Sequence, residues 1–250
     1  MKDCWAKQYS ECFGKVSREH LISKGIFEQQ SIFVQGFSWC REVEKEVSIA
    51  SLTSKILCQK HNSKFSQIDE EGINAVRVFE SLLPAVARSV NSQPSKRIID
   101  GYLFERWLLK TAINVSYKSD QHIGVGMAES ITGFPSAYLL AVVFGELNFT
   151  HNMGVYMLTS ENSSKFRAGN LFVCPIQKDG AIGGFLFHIR GLDFFLSLFP
   201  GHHPPKLREL GLTSSDNVTD YLLDAVPSYR LQGLIINNQN EPSQKVVFSW

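Results

Sequence analysis

Nowhere in this chain do apolar residues run for the roughly 20 positions that a membrane-spanning helix needs. The longest such run is Ala137–Phe144. Met1–Ser10 carries Lys2, Asp3 and Lys7 and has no apolar core, so it does not read as a secretory signal. Cysteine is scarce and odd in number, five in all. That argues against a disulfide framework and leaves metal ligation or core packing for the thiols. There is no Gly-x-Ser-x-Gly elbow of a serine hydrolase, and Gly180–Gly184 lacks the Gly-Lys-Ser/Thr ending of a phosphate loop. Internal repeats and low-complexity tracts are also missing. What remains is the expectation of a soluble, cytoplasmic protein with no membrane partner.

What is present is the composition of an ordinary globular chain, 44% hydrophobic, 12% aromatic and 20% charged over 250 residues. The net charge of +1 is unevenly spread: residues 1–66 hold ten Lys/Arg against seven Asp/Glu, and residues 119–250 hold eight against eleven. A modestly basic first part favours a polyanion partner, whereas the acidic remainder suits a protein partner or small ligand better. Texture divides the chain at the same places. Residues 1–66 contain Cys4, Cys12, Cys40 and Cys58 and show little helical period.

Residues 67–118 read as a helical connecting segment. Ile68, Val76, Phe79, Leu82 and Leu83 share one face of a helix whose first turn is acidic. After a loop at Asn91–Lys96, Asp100 is placed to cap a second helix over Gly101–Asn114, with Leu103, Trp107, Leu108 and Thr111 near one face. Beyond residue 118 come short apolar or alternating runs, Ala137–Phe144, Val155–Leu158, Leu171–Ile176, Phe185–Ile189, Leu231–Ile236 and Val246–Trp250. Punctuated by Gly, Asn, Asp, Ser and Pro, they predict strands, with Asp179-Gly180 as a hairpin turn and short helices at Lys206–Leu210 and Val218–Leu223. The expected class is therefore α+β, with a β-rich C-terminal domain over residues 119–250.

The chemistry concentrates between Cys4 and Asn62. Cys58 and His61 form a Cys-x2-His pair that can turn toward one ion from a tight knuckle. Cys4 and Cys12 are a looser upstream pair, with seven residues between them. Together Cys4, Cys12, Cys58 and His61 would make a closed, tetrahedral Cys3His site for structural zinc. Such a site would supply folding free energy to a segment short of large apolar residues. The bland alternative is four unrelated thiols and imidazoles, and Cys40 could take the place of Cys4.

Between the pairs lies Glu19-His20, and Asn62 follows His61 directly. An acid–His pair on a first strand, a cysteine knuckle and a helix bearing Asn, in that order, resembles the HNH nuclease family, whose fold is a treble-clef-like ββα-metal motif. The resemblance covers roughly the first quarter of the chain. It implies a zinc-stabilised ββα-metal nuclease module over residues 1–66, acting on DNA, and several modules of this kind serve antiviral defence. Three departures stand out. The first cysteine pair is widely spaced, the acid is Glu where Asp is commoner, and the span from His20 to Asn62 implies an extended hairpin or insertion around Ile32–Leu52.

Elementary chemistry assigns roles that agree with the resemblance. A neutral imidazole can take a proton from water near neutral pH, which makes His20 the expected general base. A hard cation such as Mg²⁺ or Mn²⁺ takes oxygen ligands, which Glu19 and Asn62 would provide, leaving coordination positions for phosphate and water. Soft thiolates would hold zinc instead, so two distinct metals are expected. Lys15, Arg18, Lys24, Lys60 and Lys64 cluster in sequence around these residues and are candidates for phosphate contact.

The rival reading keeps the zinc knuckle without catalysis, as a nucleic-acid- or protein-binding module beside a β-rich sensing domain. Bland readings exist for each residue: His20 as a surface histidine, Asn62 as a helix cap, the lysines as solvated. His202-His203 reads as a surface loop, Cys174 as a core strand thiol and Trp107 as helix packing.

Overall fold

The computed structural model describes residues 3–41, 43–87, 96–124, 131–150, 152–158, 171–200, 233–238 and 241–250. The architecture is mixed α+β and rich in sheet. Strand β1 (Val16–His20) pairs antiparallel with β4 (Thr53–Cys58), and helix α1 (Gln59–Ser63) follows β4 at once. Between the two strands the chain makes a 3-10 turn (Lys24–Ile26), then β2 (Ser31–Gln35) and β3 (Lys45–Ser48), an antiparallel pair. The long span from His20 to Asn62 is thus filled by a hairpin, which does not stay within the N-terminal region. β2 also pairs in parallel with β8 (Leu171–Lys178).

That pairing places β2 and β3 at one end of a seven-stranded sheet. Its path runs β3-β2-β8, then β9 (Ala181–Ile189), β10 (Leu192–Ser197) and β7 (Gly154–Met157), while β6 (His122–Ile123) pairs β9 to one side. A third sheet joins β11 (Gly233–Asn238), β12 (Glu241–Ser249) and β5 (Lys96–Asp100), the last in parallel. Asp179 and Gly180 turn the β8–β9 hairpin with φ of +50° and +78°, as that dipeptide predicts. Cys174 is buried in β8.

Helix α2 (Ser66–Ala87) and helix α3 (Gly101–Ser116) pack against each other over an aromatic core. Phe79 of α2, Phe104 of α3 and Phe194 of β10 meet with centroids 5.3–6.2 Å apart, and Phe248 of β12 joins them. Full burial of one such side chain contributes about 1.5–3 kcal/mol. The helices approach so closely that a Cβ on Gly72 would sit 2.3 Å from the Trp107 ring. Asp100 caps α3, accepting a hydrogen bond from the Leu103 N–H at 3.0 Å.

One predicted strand is a helix. Residues Ala137–Val143 form α4, capped by the Ser136 side chain, with Leu139, Leu140, Val142 and Val143 buried. A short apolar run has no period to separate strand from helix. Here Ser136 at the start and good helix formers such as Ala and Leu decide the matter. The predicted Asn91–Lys96 loop lies outside the described residues except for Lys96, which opens β5. The helices predicted at Lys206–Leu210 and Val218–Leu223 and the His202-His203 loop also lie outside them. No helix among the described residues is long and apolar enough to cross a membrane.

Candidate metal centre and acid–base cavity

Cys4 comes from the N-terminal turns, Cys12 from the loop before β1, Cys58 from the end of β4 and His61 from α1. Their four ligand atoms lie within 4.8 Å of one another. The spacing suits one tetrahedral ion. Zinc bonds of ordinary length would set each sulfur about 3.6 Å from the imidazole nitrogen. The observed distances to His61 Nδ1 are 3.3 Å from Cys4, 3.3 Å from Cys58 and 3.9 Å from Cys12. The other ring nitrogen, Nε2, is 2.8 Å from Ser10 Oγ. A proton shared there keeps Nδ1 free to ligate and fixes the ring, the usual support for a metal-bound histidine.

Burial shapes the thiols unevenly. It pushes Cys4 up to about 12, with a backbone N–H from Cys58 opposing, and it raises Cys12 as well. Burial also acts upward on Cys58, but hydrogen bonds from the His61 and Phe13 backbone and from the Cys12 and Cys4 side chains together outweigh it, and this thiol ends below its ordinary value. His61 is lowered by burial and by Lys60 and Lys64, which favours the neutral, ligating imidazole. A soft divalent cation is what turns such a set into thiolates, and the donor chemistry fits a metal such as zinc. Cys40 is not a member. It is buried elsewhere, in a turn where its N–H donates to the Phe37 carbonyl at 2.8 Å.

A second cluster opens on the β1–α1 side. A cavity of about 380 Å³ is lined by residues that include Glu19, His20, Lys24, Asn62 and Asp69. His20 is half-buried at the end of β1, and its carbonyl accepts a hydrogen bond from Asn114 Nδ2 at 3.3 Å. Burial lowers the His20 imidazole, opposed by Glu19 and assisted by Lys24 and Lys110. Asn62 donates from Nδ2 to Ser17 Oγ at 3.2 Å, an orientation in which the amide oxygen is the group left to accept.

Glu19 is buried and has an ion partner that its sequence neighbours do not supply. Lys110 of α3 places Nζ 2.6 Å from Glu19 Oε1 and 2.7 Å from Asp69 Oδ2. Asp69 also accepts from Ser23 Oγ at 2.6 Å, and Ser23 Oγ accepts from Trp107 Nε1 at 2.8 Å. Trp107, Lys110 and Asn114 stand three and four residues apart on one helix face, all turned toward β1 and the turn after it. Trp107 is packing, as expected, while Lys110 and Asp69 are residues that the sequence reading missed. The available signal was a lysine set within the apolar face of α3.

Of the basic residues singled out, Lys24 lines the cavity. Lys15 and Arg18 are exposed on the approach to and along β1. Lys60 donates to the Glu11 carbonyl at 2.9 Å, and Lys64 lies over the rings of Tyr9 and Phe144 at 5.6 and 5.7 Å. These contacts place both lysines against the Cys/His knuckle and its aromatic surround. Compared with protein-family models, curated proteins and solved structures, the chain matches none of them.

Proposed function

We propose that this chain is a metal-dependent, HNH-type endonuclease that hydrolyses DNA phosphodiester bonds. The observation that carries the reading is the shared cavity: Glu19 and His20 from β1 and Asn62 from α1 line one open volume. α1 also carries His61 of the Cys/His cluster, so that cluster would fix the helix from which Asn62 projects.

The donors suit a hard divalent cation, since Glu19 offers a carboxylate and Asn62 an amide oxygen. Such an ion, when bound, neutralises charge building on phosphate and leaving oxygen. The chain's own residues do the rest. His20, kept neutral by its surroundings, accepts the proton of the attacking water through its imidazole nitrogen. Ser17 holds the Asn62 amide in orientation, and Lys24 at the cavity wall attracts the phosphate. The test is nicking of supercoiled plasmid by the full chain in Mg²⁺ or Mn²⁺. Metal-dependent nicking that His20→Ala removes is expected; equal nicking by that variant would sink the assignment.

A second reading, a zinc-knuckle binding module without catalysis, is favoured by one observation. Glu19 already holds a cation, the Lys110 ammonium. On that reading DNA is retained in a gel-shift assay and no metal produces a nick.

A further inference from the structure

We infer that Lys110 is a positioning residue of the proposed nuclease cavity, a fixed cation that aims the Glu19 carboxylate and restrains divalent-cation binding. The inference rests on the endonuclease reading and extends it to a helix outside the ββα-like region. Lys110 is 3% exposed at its side chain, and its ammonium touches both Glu19 and Asp69. Asp69 meets it with Oδ1 at 2.8 Å and Oδ2 at 2.7 Å; Ser23 Oγ donates to Asp69, and Trp107 Nε1 donates to Ser23 Oγ. A buried ion pair of this kind is seldom more stable than apolar residues of the same size, so stability alone does not account for it.

The physical consequences are two. Glu19 has a longer, freer arm than Asp, and a partner at 2.6 Å removes that freedom, fixing the carboxylate beside His20 and Asn62. One ammonium against two carboxylates also leaves a single negative charge at the cavity. An ion with two positive charges is therefore held weakly until the negative charge of a phosphate joins it. Lys24, which also faces the cavity, is exposed and more strongly screened.

The experiment is a calorimetric titration of the zinc-loaded full chain with Mn²⁺, in parallel with plasmid nicking at saturating Mn²⁺. Lys110→Met leaves both carboxylates without their cation, and Mn²⁺ is expected to bind about tenfold more tightly while nicking slows. A merely structural role would weaken binding instead. The double variant Lys110→Met/Asp69→Asn removes one charge of each sign. It should bind Mn²⁺ much as the wild type does, yet still nick slowly, because Glu19 has lost its clamp. Should the single variant fail to fold, as judged by circular dichroism, the double variant decides alone. Unchanged Mn²⁺ affinity in a folded Lys110→Met, or full nicking by the double variant, overturns the inference while the endonuclease stands. A wild type that neither binds Mn²⁺ nor nicks overturns the endonuclease reading, and this inference with it.

Discussion

Two polar clusters flank α1, and they are built on opposite principles. The Cys/His cluster draws all four ligand atoms from residues 4–61 and is closed, with three of its four members buried. The other cluster is open and composite: β1 and α1 supply Glu19, His20 and Asn62 to its cavity and α2 supplies Asp69, while Lys110 of α3 pairs with both carboxylates. In the closed cluster burial holds the Cys4 and Cys12 thiols to their protons. In the open one a carboxylate is already neutralised by an ammonium. The difference teaches where each should fail: the first through folding, the second through chemistry.

The largest expected effect breaks the closed cluster. Cys58→Ser removes a ligand from a site of the kind that is worth about 10–16 kcal/mol in zinc-finger peptides. That matches or exceeds the whole stability of a typical domain, about 5–15 kcal/mol. We predict loss of bound zinc and an unfolded N-terminal region, checked by zinc stoichiometry and limited proteolysis; a stable, zinc-free variant would break the comparison. Next comes the open cluster. His20→Ala should slow nicking by about 10²–10⁴-fold, the usual share of a general base. Zinc content and melting temperature should stay as they were, and a fall in both would mean that the two clusters are one structural unit.

The pH dependence sharpens the same contrast. Burial sets His20 below its ordinary value of 6.5. The folded chain thus favours the neutral ring, and native protein binds fewer protons than unfolded protein in this range. The stability owed to that ring is complete above pH 6.5 and is lost as pH falls through the lowered value. Activity follows the same sign, so the acid limb of the nicking rate should lie below pH 6.5. A limb above that pH would mean that the rate reports some other group.

How much of this could be read from the chain depends on the range of the interaction. The Cys58–His61 knuckle, the Asp100 cap and the Asp179-Gly180 turn are local, set by residues a few positions apart, and their spacing predicts them. Cys4 and Cys12 are identified as partners because few thiols compete for the role. Ala137–Phe144 reads as a strand yet is helical over Ala137–Val143, because eight apolar residues in a row carry no period and the choice falls to the Ser136 cap. The pairing of β2 with β8 joins residues over 130 positions apart, and nothing in Ser31–Gln35 specifies it. Lys110 belongs with that last group. Its partners are fixed only when α3 packs across β1, although a cation amid buried neighbours such as Leu109 and Thr111 was a visible anomaly.

The smallest expected effect tests whether the open cluster depends on α3 as a unit. Asp100 accepts from the Leu103 N–H and so satisfies a donor at the start of α3, while its own N–H is held by Glu71 Oε1 of α2 at 2.8 Å. Replacing such a cap by alanine costs about 1 kcal/mol. For Asp100→Ala we predict that loss in urea unfolding with an unchanged denaturant slope. Lys110 stands more than two helical turns further along, where Trp107 and Thr111 are fully packed around it. Fraying of the first turn should not reach it, so Mn²⁺ affinity and nicking rate should be those of the wild type. A nicking rate that falls by much more than the stability loss explains would show that α3 moves as a rigid lever, with its cap and its lysine coupled. The cavity would then owe its geometry to the whole helix rather than to the single contact with Glu19.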